Sequence, residues 1–245
     1  VNMKYRRKNK AQVSFGEAVG ILLLDSPVPF IPGDVANATS YDFPVRFKKV
    51  DGFTVARALG KDPEVYPALL KAAKDLAANG VRAITGDCGF MALHQNRLKQ
   101  DLGLPVFLSS LLQIPFIRNL IPGSTKIGIL TASGKSLSHD LLGSLGIPPG
   151  DDLVICGLEG YPEFSSAVLD EKGSLDSRLI RQEVVHAVRG LTDTWDIGAV
   201  LLECSVLPPY AEAVNKAFGV PVFDYVTMIN YMFSVLVPRT YDGYM

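Results

Sequence analysis

Cysteine and histidine are scarce in this chain of 245 residues, with three of each. An odd number of cysteines without a Cys-x-x-Cys spacing excludes a disulfide framework and fits a reducing compartment in which thiols have separate tasks. The isolated histidines and the lack of Cys/His ligand spacing exclude a zinc site, so no metal is expected. Net charge is nearly absent as well, since 24 Lys and Arg stand against 25 Asp and Glu. That balance excludes the broad basic field with which proteins hold nucleic acid or anionic membranes. The longest early apolar run, Ala18 to Leu24, is too short to span a bilayer and has no small-residue cleavage pattern behind it. A cytoplasmic protein without nucleic-acid or membrane partners is the expectation. One basic cluster, Lys4, Arg6, Arg7, Lys8 and Lys10, reads as part of a disordered tail over residues 1–15.

What is present in quantity is hydrophobic sequence, 48% of the chain and ample for buried cores, and much of it is written twice. Ala83-Ile84-Thr85-Gly86-Asp87-Cys88 and Ala199-Val200-Leu201-Leu202-Glu203-Cys204 each read as a buried strand that ends in an acid and a thiol. Pro105-Val106-Phe107 begins 17 residues after Cys88 (105 − 88), and Pro221-Val222-Phe223 begins 17 after Cys204 (221 − 204). Val19-Gly20-Ile21-Leu22 and Ile127-Gly128-Ile129-Leu130 supply an earlier strand to each copy. The repeat predicts an α/β fold of two pseudo-symmetric Rossmann-like lobes, each with a mainly parallel sheet and the site in the cleft between them. The first lobe is expected over 16–120 plus 226–245, the second over 121–225, with Ile121-Pro122-Gly123 as the hinge. Helices are predicted around Val65–Ala77, Leu175–Leu191 and Tyr225–Val237, the last closing back on the first lobe.

Ligands of open parallel sheets bind beyond the carboxyl ends of the strands, so the loops there are the candidate pocket. Asp25 and Ser26 follow the first strand, Asn37 and Thr39 lie further along its proline-rich loop, and Thr131 and Ser133 follow the equivalent strand of the second copy. Gly128 to Ser136 imitates a P-loop, but five residues separate Gly128 from Gly134-Lys135-Ser136 where the motif has four. A carboxylate received by Thr131, Ser133 and the backbone N–H groups near Gly134 is the plainer expectation.

Cys88 and Cys204 each stand at a strand-to-helix turn, where unpaired N–H groups and the helix dipole are expected to favour thiolate. Two such thiols on opposite faces of one ligand could remove a proton from one side and return one to the other. Asp87 and Glu203 alternate to the other side of their strands and are placed behind the thiols. Cys156 is expected to be structural, His94 half-buried and satisfied, and His186 solvated.

Together the duplicated strand-to-cysteine stretches, Asp25-Ser26 after the first strand and the Pro-Val-Phe strand behind each cysteine resemble the aspartate/glutamate racemase superfamily, over nearly the whole chain. That superfamily also contains hydantoin racemases, maleate isomerases and arylmalonate decarboxylases. The resemblance implies Cys88 and Cys204 as the acid/base pair with Asp25 and Ser26 lining the pocket; Asn37, Thr39, Thr131 and Ser133 join them by their places on loops after strands, and Gly89, Phe90 and Ser205 as the residues that follow the two cysteines. It implies neither metal nor pyridoxal phosphate, no cofactor of any kind, a small carboxylate as substrate, and allows a homodimer. Amino-acid racemases of the group carry Cys-Asn-Thr and Cys-Thr where this chain has Cys88-Gly89-Phe90 and Cys204-Ser205-Val206. With Phe90, Val206, Leu207 and the Pro27–Pro32 loop, this implies a more apolar pocket for a bulkier acid or a non-amino acid. The expected activity is an isomerase, a cofactor-independent racemase or epimerase. The alternatives are an arylmalonate-decarboxylase-like or maleate-isomerase-like enzyme, and a non-enzymatic two-lobed binding protein.

Overall fold

A computed structural model describes residues 4–7, 9–148 and 150–245; residues 1–3 and Lys8 of the basic tail lie outside the described residues. Its inner strands are short apolar runs buried on both faces, the pattern that parallel sheets require because helices cover them on either side. β1 (Val19–Leu23), β2 (Val45–Lys49), β3 (Ala83–Gly86) and β4 (Val106–Phe107) form one sheet in the order β2-β1-β3-β4. β5 (Lys126–Thr131), β6 (Leu153–Gly157), β7 (Ile197–Leu202) and β8 (Val222–Phe223) form the other, in the order β6-β5-β7-β8. All pairings are parallel.

The repeat seen in the sequence is a repeat of register. Gly20 faces Ile84 and Ile84 faces Val106 in the first sheet; Gly128 faces Val200 and Val200 faces Val222 in the second. The two glycines are explained by the helices above them. A Cβ on Gly20 would lie 3.0 Å from Leu76 Cδ1, and one on Gly128 would lie 3.2 Å from Leu191 Cδ1, so each lobe lets one helix sit low on its first strand.

Those helices are Tyr66–Ala78, which buries Leu69, Ala72, Ala73 and Leu76, and Ser177–Thr192, which buries Ile180, Val184, Ala187, Val188 and Leu191. Asp176 caps the second by accepting from the N–H groups of Arg178 and Leu179, and starts it two residues later than the apolar stripe alone indicates. The closing helix, Tyr225–Leu236, lays Tyr225, Met228 and Ile229 on Val19, Ile21, Ala83 and Phe107 of the first sheet. One apolar cluster runs from Leu22 and Ile84 to Ile127, Ile129 and Leu201, so the two lobes share core rather than merely touch. Among the described residues no helix is long and apolar enough to cross a membrane.

In each sheet the chain leaves the central strand in one direction and returns on its other side, so β1/β3 and β5/β7 are the points where the winding reverses. A crevice opens at such points beyond the carboxyl ends of the strands. Both crevices face each other.

Candidate active site

β3 and β7 run out in the same way. The Asp87 N–H donates to Leu22 O (3.0 Å) and the Glu203 N–H to Leu130 O (2.7 Å), so each acid prolongs the ladder to the central strand. Each cysteine is the first residue past it. Cys88 then leads into a 3-10 turn over Gly89–His94, and Cys204 into a bend that reaches Pro208–Tyr210. Between the two ends lies a pocket lined by both cysteines, by Asp87, Gly89 and Phe90 from the first lobe, and by Ala132, Glu203, Ser205 and Val206 from the second. Ser26, Val28 and Phe30 of the proline-rich loop, Val55 and Leu59, and Val168 and Leu169 complete the wall.

The lobes are bonded to one another at this seam. Ser205 Oγ donates to the Asp87 carbonyl, and Ser110 Oγ reaches the carbonyls of Leu202 (3.4 Å) and Glu203 (3.3 Å). Tyr225 Oη of the closing helix donates to Leu108 O at 2.7 Å and fastens that helix beside the seam, within the first lobe. A Cβ on Gly89 would lie 1.5 Å from Glu203 Oε1, so the carboxyl of the second lobe fills the space over a backbone atom of the first.

Both sulfurs are free thiols that keep part of their surface open to the pocket. Desolvation pushes the Cys88 thiol well up, and the nearby Asp87, Cys204 and Glu203 push it further; the N–H of Phe90, which donates to the sulfur, opposes this. Cys204 is raised in the same way, by burial and then by Glu203, against the N–H of Val206. The expectation that the helix termini would favour thiolate is therefore corrected. The N–H groups are present at both sulfurs, but they are outweighed by an apolar enclosure holding acids and no cation. Among the described residues that line the pocket there is no Lys, Arg or His.

The acids themselves are buried, and desolvation raises both Asp87 and Glu203 to about 7. Asp87 Oδ1 accepts from the Leu24 N–H (2.9 Å) and Glu203 Oε2 from Thr131 Oγ1 (2.8 Å), bonds that favour the ionised form without offsetting the burial. Both acids line the pocket instead of lying behind the thiols, because the period of two ends where the strand does.

Several residues expected around a substrate are employed elsewhere. Asp25 points away from the pocket, accepting from Lys49 Nζ (2.9 Å) and the Gly52 N–H (3.2 Å), and these partners hold its carboxyl below the usual range. Asn37 accepts from the N–H and hydroxyl of Thr39 and donates to Phe30 O (2.9 Å), while Thr39 is exposed. These two therefore shape the loop that carries Phe30 and do not reach the ligand space. Thr131 is fully buried against Glu203, and Ser133 closes a local turn with Ser136 (3.1 Å). Ser26, Gly89, Phe90 and Ser205 do line the pocket. The wall formed by Val168 and Leu169 had no signal in the sequence: it belongs to a π-helical turn, Ser165–Leu169, whose side chains follow neither helical nor strand spacing.

Outside the pocket, His94 is buried between the rings of Phe53 and Tyr66, His186 is exposed beside Tyr161, and Cys156 lies in β6. Among the described residues, no group of three or more His, Cys, Asp or Glu is placed to hold a metal ion.

No family model matches the chain. Compared with curated proteins, it is 31% identical over 235 residues to dimethylsulfoniopropionate lyase 7 of Emiliania huxleyi, a match covering 92% of this chain and 69% of that protein. The chain belongs to the dimethylsulfoniopropionate lyase family. Lyase 3 of the same organism is 33% identical over 248 residues, covering 96% of this chain, which spans 63% of that relative's length. The expected racemase, and with it the assignment to the isomerases, is overturned by these relatives, which are lyases. Among solved structures, the fold of this lyase-family chain is similar to unliganded arylmalonate decarboxylase (TM-score 0.55, 18% identity, 90% of this chain and 92% of that one). It is similar also to glutamate racemase from Francisella tularensis (TM-score 0.55, 16% identity, 92% and 85%). The two-lobed aspartate/glutamate-racemase-like fold is thus shared, while the chemistry of the lyase relatives is different.

Proposed function

We propose that the pocket between the lobes cleaves dimethylsulfoniopropionate by β-elimination, with one of the paired thiols as the base. This substrate is a zwitterion, a dimethylsulfonium cation joined by two carbons to a carboxylate. A thiolate takes a proton from the carbon next to the carboxylate, the electron pair left behind becomes the carbon–carbon double bond, and the carbon–sulfur bond breaks. Dimethyl sulfide leaves with the bonding pair, acrylate remains, and the proton ends on the cysteine. Nothing is oxidised or reduced.

The observation that carries this reading is the pocket's charge. Its thiols are held protonated because it has acids, apolar walls and no basic side chain. A sulfonium supplies the missing positive charge. One unit charge about 4 Å away at an effective dielectric near 20 is worth about 4 kcal/mol, or about three pKa units, in the direction of the thiolate. The substrate would then help to ionise its own base, and the apolar walls suit the methyl groups on sulfur.

Headspace detection of dimethyl sulfide, with acrylate followed by proton NMR, tests this. Replacing the cysteine that acts as base by Ser is expected to lower the rate by about 10²–10⁴. Cys88→Ser and Cys204→Ser are made separately to identify it. Absence of dimethyl sulfide from the wild type, or full activity in both variants, rejects the proposal.

A further inference from the structure

Glu203 is 1% exposed, and only one of its carboxyl oxygens is bonded. Oε2 accepts from Thr131 Oγ1, whereas Oε1 is buried without a hydrogen-bond partner, lying over Gly89 where that residue lines the pocket. An orphaned buried oxygen is costly unless a ligand satisfies it.

Three hydroxyls around Glu203 are already used, and Ser26 of the opposite wall accepts from the Val28 N–H. Ser205 Oγ is spent on the Asp87 carbonyl, Tyr225 Oη on Leu108 O and Thr131 Oγ1 on Glu203 itself. Any carboxylate entering this pocket meets no basic side chain among the described residues, so it must be received by neutral donors.

We propose that Glu203 is a substrate-positioning residue that works as the neutral acid, Thr131 holding Oε2 while Oε1–H donates to the carboxylate of a propionate-type ligand. A carboxyl in that state has one acceptor oxygen and one donor, which matches one oxygen bonded and one awaiting an acceptor. The ionisable groups around it favour that state. Cys204 beside it, Cys88 and Asp87 from the first lobe and Tyr225 from the closing helix are all neutral or negative, and Asp34 of the proline-rich loop acts on Cys204. Burial raises Glu203 to about 7, so the donor is complete below that pH and is lost as pH rises through it. A neutral Glu203 also spares a neighbouring thiolate a second negative charge.

This inference rests on the lyase reading for the kind of ligand, but its test needs no turnover. The probe is propionate, which has the carboxylate and no leaving group. Its binding is read as the concentration that half-protects the thiols from iodoacetamide, each protein compared with itself without propionate. In the wild type, affinity should fall at least tenfold between pH 6 and pH 8.5. In Glu203→Gln, whose amide donates at every pH, the fall should shrink to what the ionisation of Asp87, which lines the same pocket, still causes. In Thr131→Val the bond favouring ionisation is gone, so the fall should move to higher pH. This last variant supplies the reading if the Gln protein does not fold. The same pH dependence in Glu203→Gln as in wild type, an unmoved midpoint in Thr131→Val, or no protection by propionate in wild type overturns the assignment. Affinity that rises with pH would do so too. Protection of the expected form without release of dimethyl sulfide would leave Glu203 standing and remove the lyase reading alone.

Discussion

At the scale of single residues, the site depends on one missing Cβ. Gly89 follows Cys88, and the Glu203 carboxyl occupies the place its side chain would take, with Oε1 1.5 Å and Cδ 2.4 Å from an ideal Cβ. Thr131 pins the same carboxyl from behind, so it cannot withdraw cheaply. Gly89→Ala is expected to lower dimethyl sulfide release at least a hundredfold and to lower the thermal midpoint as well, checked by headspace assay and calorimetry, whereas Gly20→Ala, whose Cβ meets Leu76 far from the pocket, should lower the midpoint and spare the release rate. The cysteines were legible at this scale because they occur twice at one register. The roles of Asp87 and Glu203 were not, because alternation along a strand says nothing about a side chain one residue beyond its end. Polar residues such as Asp25 and Asn37 were misplaced for a related reason. A loop after a strand has its own backbone groups to satisfy, and those demands consumed the side chains that sequence position alone offers to a ligand.

At the scale of elements, the seam between the lobes is held by bonds from short segments to strand ends. Ser205 is the clearest case: it is buried, and its hydroxyl donates to the Asp87 carbonyl across the cleft. Ser205→Ala leaves that carbonyl without this donor and should cost about 1–3 kcal/mol in urea unfolding. It should also raise the KM for substrate, because Asp87 carries Cys88. The central strands and long helices were readable from apolar runs and helical spacing, but β2 was not. Its sequence, Val45-Arg46-Phe47-Lys48-Lys49, is that of a charged edge strand, and it is recognised only by its register with β1. Arg46 there pairs with Glu17 (3.0 Å) and Lys48 with Asp75 (2.8 Å), so the charges that obscure the strand also fasten it to its neighbours.

For the whole molecule, buried acids make stability depend on pH in an uncommon direction. Asp34 is raised to about 8 and Asp87 and Glu203 to about 7, all by desolvation, while unfolded carboxyls titrate near 4. The folded state therefore holds protons that the unfolded state has released, and stability declines as pH rises from about 4 through these values. Acids with lowered values, such as Asp62 and Asp152, are ionised in both states above about pH 5 and do not contribute to the slope there. Urea unfolding should give a stability lower at pH 8.5 than at pH 5.5 by a few kcal/mol. Asp34, whose Oδ1 is buried without a partner, is the largest single source, so Asp34→Asn should flatten the slope. A stability that climbs over this range would contradict the assignment of these acids as neutral in the folded protein.

The pocket without basic side chains has a last consequence, for the medium in which such a site can work. Attraction between separated charges across solvent fades within about 8 Å at physiological ionic strength and within about 3 Å at 1 M salt. A pocket that captures its ligand with a ring of lysines and arginines loses affinity as salt rises. Here the proposed ligand is a zwitterion with no net charge to be steered, and the lining offers methyl groups, thiols and buried carboxyls. Recognition of this kind happens after water and ions have been left behind, and is as effective in brine as in dilute buffer.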